Sequence, residues 1–108
     1  MKTLPDFKPL PREYVESLLR RVLAHDAKGE MTHLRELHAY EDGHYRVIFS
    51  PAYFTLTTDQ TEPSKSQWNG LKKKLKRHEP RIFIFKDHGM VPYGAERCGF
   101  LDFGFFAE

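Results

Sequence analysis

The sequence predicts an α+β domain in which two helices pack on one face of a largely antiparallel sheet of four or five strands. Apolar residues recur at helical spacing over about residues 12–27 and again over 64–77. Between these segments an Asp-Gly pair at 42–43 indicates a tight hairpin, and an apolar run and an aromatic-rich tail follow the second helix. The predicted order is therefore helix, two or three strands, helix, two strands.

The first residues are predicted to lead into a single domain. Residues 1–11 include three prolines, a density that prevents both a helix and a central strand. We therefore expect an extended, proline-rich lead-in over 1–11 and a single α+β domain over 12–108. The chain has 108 residues, the size of one domain, and its 40% hydrophobic content is too high for intrinsic disorder.

The first helix is predicted over about residues 12–27. Pro11 suits its first turn, where the missing N–H breaks no helical hydrogen bond, and Gly29 is a natural stop. Apolar residues recur along it at spacings of three and four, which predicts one buried face. They are Tyr14, Val15, Leu18, Leu19, Val22 and Leu23.

The Asp-Gly pair at 42–43 predicts a two-residue turn between strands at about 32–41 and 44–50. Both central residues of such a turn need positive φ, which Asp and Gly tolerate better than other residues do. In that register Tyr40 faces Tyr45 across the hairpin.

Alternation within these strands predicts which residues face the core. In the second strand the predicted core residues are Tyr45, Val47 and Phe49. Leu34 and Leu37 fall on opposite faces of a regular first strand, so we expect a bulge or partial burial on both faces there. After Pro51, aromatic and β-branched residues over 53–58 predict either a third strand or a continuation of the second strand bent at the proline.

The second helix is predicted over about residues 64–77. Ser64 and Gln67 match a capping box, in which each side chain satisfies a free N–H at the start of the helix, and Pro80 prevents its continuation. The predicted buried stripe has spacings of three and four. It comprises Trp68, Leu71 and Leu75.

Two more strands are predicted near the end of the chain. Residues 82–85 form a short apolar run typical of a central strand that is covered on both faces. We expect a turn at 87–89, an irregular segment as far as 99, and a last strand over about 100–106. The residues of that strand predicted to face inward are Leu101, Phe103 and Phe105.

Basic residues are concentrated in one segment. The formal net charge is only +2, but residues 64–86 hold eight basic side chains and one acidic one. Such asymmetry bears on partners and not on the fold. The predicted contact surface consists of Lys65, Lys72, Lys73, Lys76, Arg77, Arg81 and Lys86.

We interpret this basic surface as that of a small binding or adaptor module that contacts an acidic partner protein and has no enzymatic activity. A nucleic-acid partner, with RNA ahead of DNA, is the alternative, because a lysine cluster also neutralises phosphates. A third interpretation is an enzyme that uses His88, Cys98 and Asp102. The basic residues are also compatible with a solvated helix face whose lysines complement the helix dipole. We expect a monomer or weak dimer.

Catalytic and metal signatures are weak in this sequence. None of the six histidines has the spacing of a zinc site, and no cofactor fingerprint is present, so we expect neither metal nor cofactor. An enzyme would have to use Cys98 as nucleophile, His88 as base and Asp102 as the residue that orients it. That requires the three side chains to meet in the fold.

The cysteine content and hydropathy predict a cytoplasmic protein. Cys98 is the one cysteine of the chain and cannot form an internal disulfide. The first eleven residues carry neither an apolar run nor a small-residue cleavage site, and no stretch approaches the ~18 apolar residues of a membrane span. We therefore expect no contact with a membrane.

Overall fold

A computed structural model describes residues 10–24 and 33–105, leaving aside the Phe83 side chain. The helices are α1 (Arg12–Val22), a short 3-10 helix (Pro51–Tyr53) and α2 (Lys65–His78), and the strands are β1 (Leu34–Ala39), β2 (Tyr45–Phe49), β3 (Ile82–Tyr93) and β4 (Glu96–Phe105). The strands form one antiparallel sheet in the order β1-β2-β4-β3. The α+β class is confirmed. Apart from Leu10 and Pro11, the predicted lead-in lies outside the described residues.

The core lies between the helices and one face of the sheet. Its members from the helices are Val15, Leu18, Leu19, Val22, Leu23, Trp68, Leu71 and Leu75, and those from β2 and β4 include Tyr45, Val47, Phe49, Leu101, Phe103 and Phe105. The stripe predicted for α2 and the inward residues predicted for β2 and β4 are therefore confirmed. The stripe predicted for the first helix is confirmed except for Tyr14, which is 37% exposed. No helix in the described ranges is long and apolar enough to cross a membrane.

Helix α1 ends earlier than predicted. The N–H of Leu23 donates to the carbonyl of Leu19, 2.8 Å away, and Leu23 is the C-cap. The end of the predicted helix at 25–27 and its stop at Gly29 lie outside the described residues. Four fully buried residues anchor the helix that does form, so its stability depends on packing.

The β1–β2 hairpin has a three-residue loop, and the predicted two-residue turn is wrong. The Gly43 N–H donates to the Tyr40 carbonyl, and the Tyr40 N–H donates to the His44 carbonyl. Among the described residues only Gly43 and Gly94 have positive φ, so Asp42 does not take the conformation that the predicted turn needs. Ala39 consequently faces Tyr45.

The chain departs from regular strand structure at two places, one within β1 and one directly after β2. The predicted bulge in β1 is confirmed as a shift in register between Leu34 and Glu36. Residues 53–58 form neither a third strand nor a continuation of β2, because Pro51–Tyr53 is a turn of 3-10 helix and residues 54–58 have no strand structure. The Ser50 hydroxyl caps this turn by accepting from the Ala52 N–H, 3.2 Å away. The sheet therefore has four strands.

Helix α2 forms as predicted. The Ser64 hydroxyl accepts from the Gln67 N–H at 3.2 Å, and the Gln67 side chain accepts from the Ser64 N–H at 2.8 Å, which completes the capping box. The helix ends at Glu79, whose N–H donates to the Leu75 carbonyl. The last turn is basic and so complements the helix dipole.

Residues 82–105 form one long hairpin, which differs from the prediction, and Phe106, where the predicted last strand ends, lies outside the described residues. Residues 82–85 do not form a central strand, because they begin the edge strand β3, and β4 is central. The predicted turn at 87–89 and the irregular segment after it are both part of β3 and β4, which turn only at Gly94 and Ala95. Gly89 resembles a turn residue in sequence, but in the sheet it faces the Phe100 ring, which would lie 3.0 Å from an added Cβ.

Candidate functional site

A shallow groove of about 390 Å³ lies between the second half of α2 and the start of β3. It is lined by Lys72, Lys73, Lys76, Arg77 and Phe85, and we call it the basic groove. The four cations occupy helix positions i, i+1, i+4 and i+5, which share one face because the α-helix has 3.6 residues per turn. They adjoin the buried stripe that fixes α2 on the sheet.

Phe85 supplies the aromatic wall of the basic groove. It faces Phe103 across the β3–β4 pair and packs at the edge of the core, half-buried. The Lys72 ammonium lies over the ring, 5.8 Å from its centroid, within the range of a cation–π contact. The groove thus offers an apolar surface beside positive charge.

The charge of the basic groove is not neutralised by the described part of the chain. No carboxylate from residues 10–24 or 33–105 forms an ion pair with any of its four cations. Burial lowers the pKa of His88, and the nearby positive charge of Lys72 lowers it further. Lys72 therefore places positive charge close to the His88 ring.

Arg81, a predicted contact residue, is held by the protein itself. Its Nε lies 2.6 Å from Oε2 of Glu79 and its Nη2 lies 2.9 Å from Oε1. The Tyr14 hydroxyl donates to the same carboxylate and accepts from Arg81. The hydrogen bonds from Arg81 lower the pKa of Glu79 to about 2, although its burial acts in the opposite direction. We call Tyr14, Glu79 and Arg81 the Glu79 cluster.

The remaining predicted contact residues also lie apart from the basic groove. Lys86 reaches Oδ2 of Asp42 at 3.5 Å in an exposed ion pair of the kind that contributes little. Lys65 begins α2, about two helical turns before Lys72. The structure therefore gathers four of the seven residues into one site.

The structure does not bring together the three residues that an enzyme would need. His88 faces Leu101 across the hairpin and stacks on Trp68, with ring centroids 4.6 Å apart, on the side of the sheet that meets the helices. Cys98 and Asp102 differ from Leu101 by odd numbers of positions and so occupy the other face of β4.

Each of those two residues is also engaged on that face. Asp102 forms a two-point ion pair with Arg46, at 2.7 and 3.0 Å. Cys98 is buried, and burial raises the pKa of its thiol, as does the charge of Glu96. A raised pKa disfavours the thiolate, the nucleophilic form of cysteine.

A second groove, of about 440 Å³, lies along α1 and has mixed charge. Its lining residues are Glu13, Glu16, Ser17, Arg20 and Arg21. Arg20 pairs with Glu16 at 3.1 Å, and Arg21 donates to the Ser17 hydroxyl at 3.1 Å. This groove resembles the basic groove in size but contains its own carboxylates.

Neither metal ligands among the described residues nor similarity to known proteins indicates what the site binds. Among the described residues, no three His, Cys, Asp or Glu side chains are grouped as metal ligands. Comparisons of the chain with protein-family models, curated proteins and solved structures find no match. The geometry and charge of the basic groove therefore indicate what it can bind.

Sequence reasoning missed Phe85 as a groove residue. Its place in an apolar run indicated a strand covered on both faces, whereas the structure puts that strand at the edge of the sheet. The one local signal for an exposed edge is Lys86, a charged residue that directly follows Phe85.

Proposed function

We propose that this protein is a small binding module, without enzymatic activity, that takes an acidic segment of a partner protein into the basic groove. The observation that supports this most strongly is the set of four cations on one helix face with no ion-pair partner among the described residues. A ligand that carries carboxylates supplies the missing charge. Complementary charge of this kind raises association rates and selects partners.

The size of the site favours a protein segment over RNA. A protein that makes ~6–10 phosphate contacts uses more cations than one short stretch of helix supplies. Here the basic groove offers four cations within about two helical turns, and the Glu79 cluster withdraws Arg81 from the surface that the sequence predicted. A short acidic peptide matches a site of this extent.

The proposal includes the oligomeric state of the protein and its cellular location. We propose that the protein acts as a monomer or weak dimer in the cytoplasm, where the Cys98 thiol stays reduced. RNA is the competing ligand.

The test is a fluorescence anisotropy titration of a labelled Asp/Glu-rich peptide and of a mixed-sequence single-stranded RNA, each at several salt concentrations. We expect saturable binding of the peptide. The double variant Lys72→Glu/Lys76→Glu should weaken it by at least about tenfold, a change of ~1.4 kcal/mol in binding free energy.

The matched control is Arg20→Glu/Arg21→Glu on the groove along α1, which changes the net charge of the protein by the same amount. Binding unchanged within about twofold in this control supports a specific site, since long-range effects of net charge would act on both variants alike. Equal loss in both variants contradicts the proposal. RNA that binds more tightly than the peptide, with a log–log salt slope of about −3 for four neutralised phosphates, establishes the alternative.

A further inference from the structure

The basic groove has two unlike walls. All four cations come from α2, whereas Phe85 comes from β3 and is the lining residue on that side. Phe85 is half-buried, with its ring turned toward the groove beside the Lys72 ammonium. A ligand that lies in the groove therefore meets charge on one side and an aromatic surface on the other.

A ligand that binds through charge alone contacts only the α2 wall of the basic groove. Ion pairs between exposed side chains are individually weak, because water screens them and both side chains lose freedom. An apolar ligand side chain placed on Phe85 removes apolar surface from water on both partners. It also brings the neighbouring ion pairs into a less hydrated setting, where each is stronger.

The spacing of the cations fits an extended peptide. Lys72 and Lys76 are four residues apart on α2, which is a rise of ~6 Å at 1.5 Å per residue. Residues i and i+2 of an extended chain are ~6.6 Å apart and point to the same side, while residue i+1 points to the opposite side. Carboxylates at i and i+2 thus match the two lysines, and residue i+1 is directed at the other wall.

We propose that the basic groove recognises an extended acidic-apolar-acidic tripeptide, with the two carboxylates on α2 and the apolar side chain on Phe85. This assignment rests on the proposed function and adds the chemistry of the ligand to it. Phe85 becomes the residue that determines specificity, and the cations supply the general preference for acidic segments.

The test compares three peptides of equal length and charge on the unmodified protein, in the same anisotropy assay. Their central residues are Asp-Leu-Asp, Asp-Ser-Asp and Leu-Asp-Asp, within a Gly/Ser-rich flank. We expect Asp-Leu-Asp to bind about tenfold more tightly than the other two, which corresponds to ~1.4 kcal/mol, slightly less than complete burial of one leucine side chain contributes. In Phe85→Ser, with its fold checked by circular dichroism, this preference should fall below about twofold.

The outcomes separate this proposal from the one it rests on. Equal binding of the three peptides, with loss of all three in Lys72→Glu/Lys76→Glu, overturns the role of Phe85 and leaves the acidic-segment function standing. A preference for Asp-Leu-Asp that persists in a folded Phe85→Ser variant also overturns it. Failure of every peptide to bind overturns both proposals. Because the peptide comparison uses the unmodified protein, it tests the acidic-apolar-acidic preference even if Phe85→Ser does not fold.

Discussion

The basic groove and the Glu79 cluster lie at neighbouring points of one basic segment, but they use positive charge differently. In the groove, four cations face outward without a carboxylate partner in the described ranges. In the cluster, a carboxylate whose side chain is only 3% exposed binds Arg81 at two points and joins it to Tyr14 of α1. Cations that are close together in the sequence therefore differ in role: those of the groove are available to a partner, whereas Arg81 contacts groups of the fold itself.

The largest effect expected from this difference is on stability. Glu79→Gln keeps the size of the side chain but removes the charge that Arg81 and Tyr14 contact. Hydrogen bonds to a buried charged group contribute ~1.5–3 kcal/mol, so we expect the free energy of unfolding to fall by about 2 kcal/mol in urea denaturation at pH 7. Lys76→Gln, as the matched control in the groove, should change it by less than about 0.5 kcal/mol. Similar values for the two variants would remove the distinction between the regions.

Acidification should reveal the same difference between the two regions. The pKa of Glu79 is about 2 in the folded protein, against an ordinary value of 4.5. The unfolded chain therefore takes up this proton more readily, and the stabilisation is present above pH ~4.5 and lost as the pH falls toward ~2. Urea denaturation over this pH range should show a steeper loss for the wild-type protein than for Glu79→Gln. Parallel curves for the two proteins would contradict the assignment.

The smallest expected effect is on binding by single cations. Lys76→Gln should weaken binding of the acidic peptide by about fivefold, or ~1 kcal/mol, at low salt. Arg81→Gln removes the same formal charge and should alter affinity by less than about twofold, because its guanidinium is already engaged by Glu79. Its thermal midpoint should nevertheless fall, since the buried carboxylate loses its cation. A larger loss of affinity in Arg81→Gln than in Lys76→Gln would place the ligand on the Glu79 cluster.

Local signals explain which elements could be predicted from the sequence. The start of α2 was predictable because Ser64 and Gln67 cap each other within one turn. The core residues of β2 were predictable because a strand that is half covered alternates strictly. Both signals depend on residues a few positions apart.

The features that could not be predicted depend on distant residues. Gly89 reads as a turn residue unless Phe100 is known to lie opposite it, and the sequence does not give that pairing. The lysines of the groove could be placed on one face of a helix by spacing alone. However, the hydrogen bond from Arg81 to the Tyr14 hydroxyl joins residues 67 positions apart, and the aromatic wall depends on β3 lying at the edge of the sheet.

The central position of β4 has a consequence for the order of folding. Its pairing with β3 closes through a turn at Gly94 and Ala95, so these strands meet locally, and hairpins of this kind form in ~1–10 μs. Its pairing with β2 joins the first hairpin to the last, across the whole of α2. Such long-range contacts form more slowly, because loop closure precedes any gain from packing. We therefore expect two early hairpins and a rate-limiting step in which β2 docks on β4.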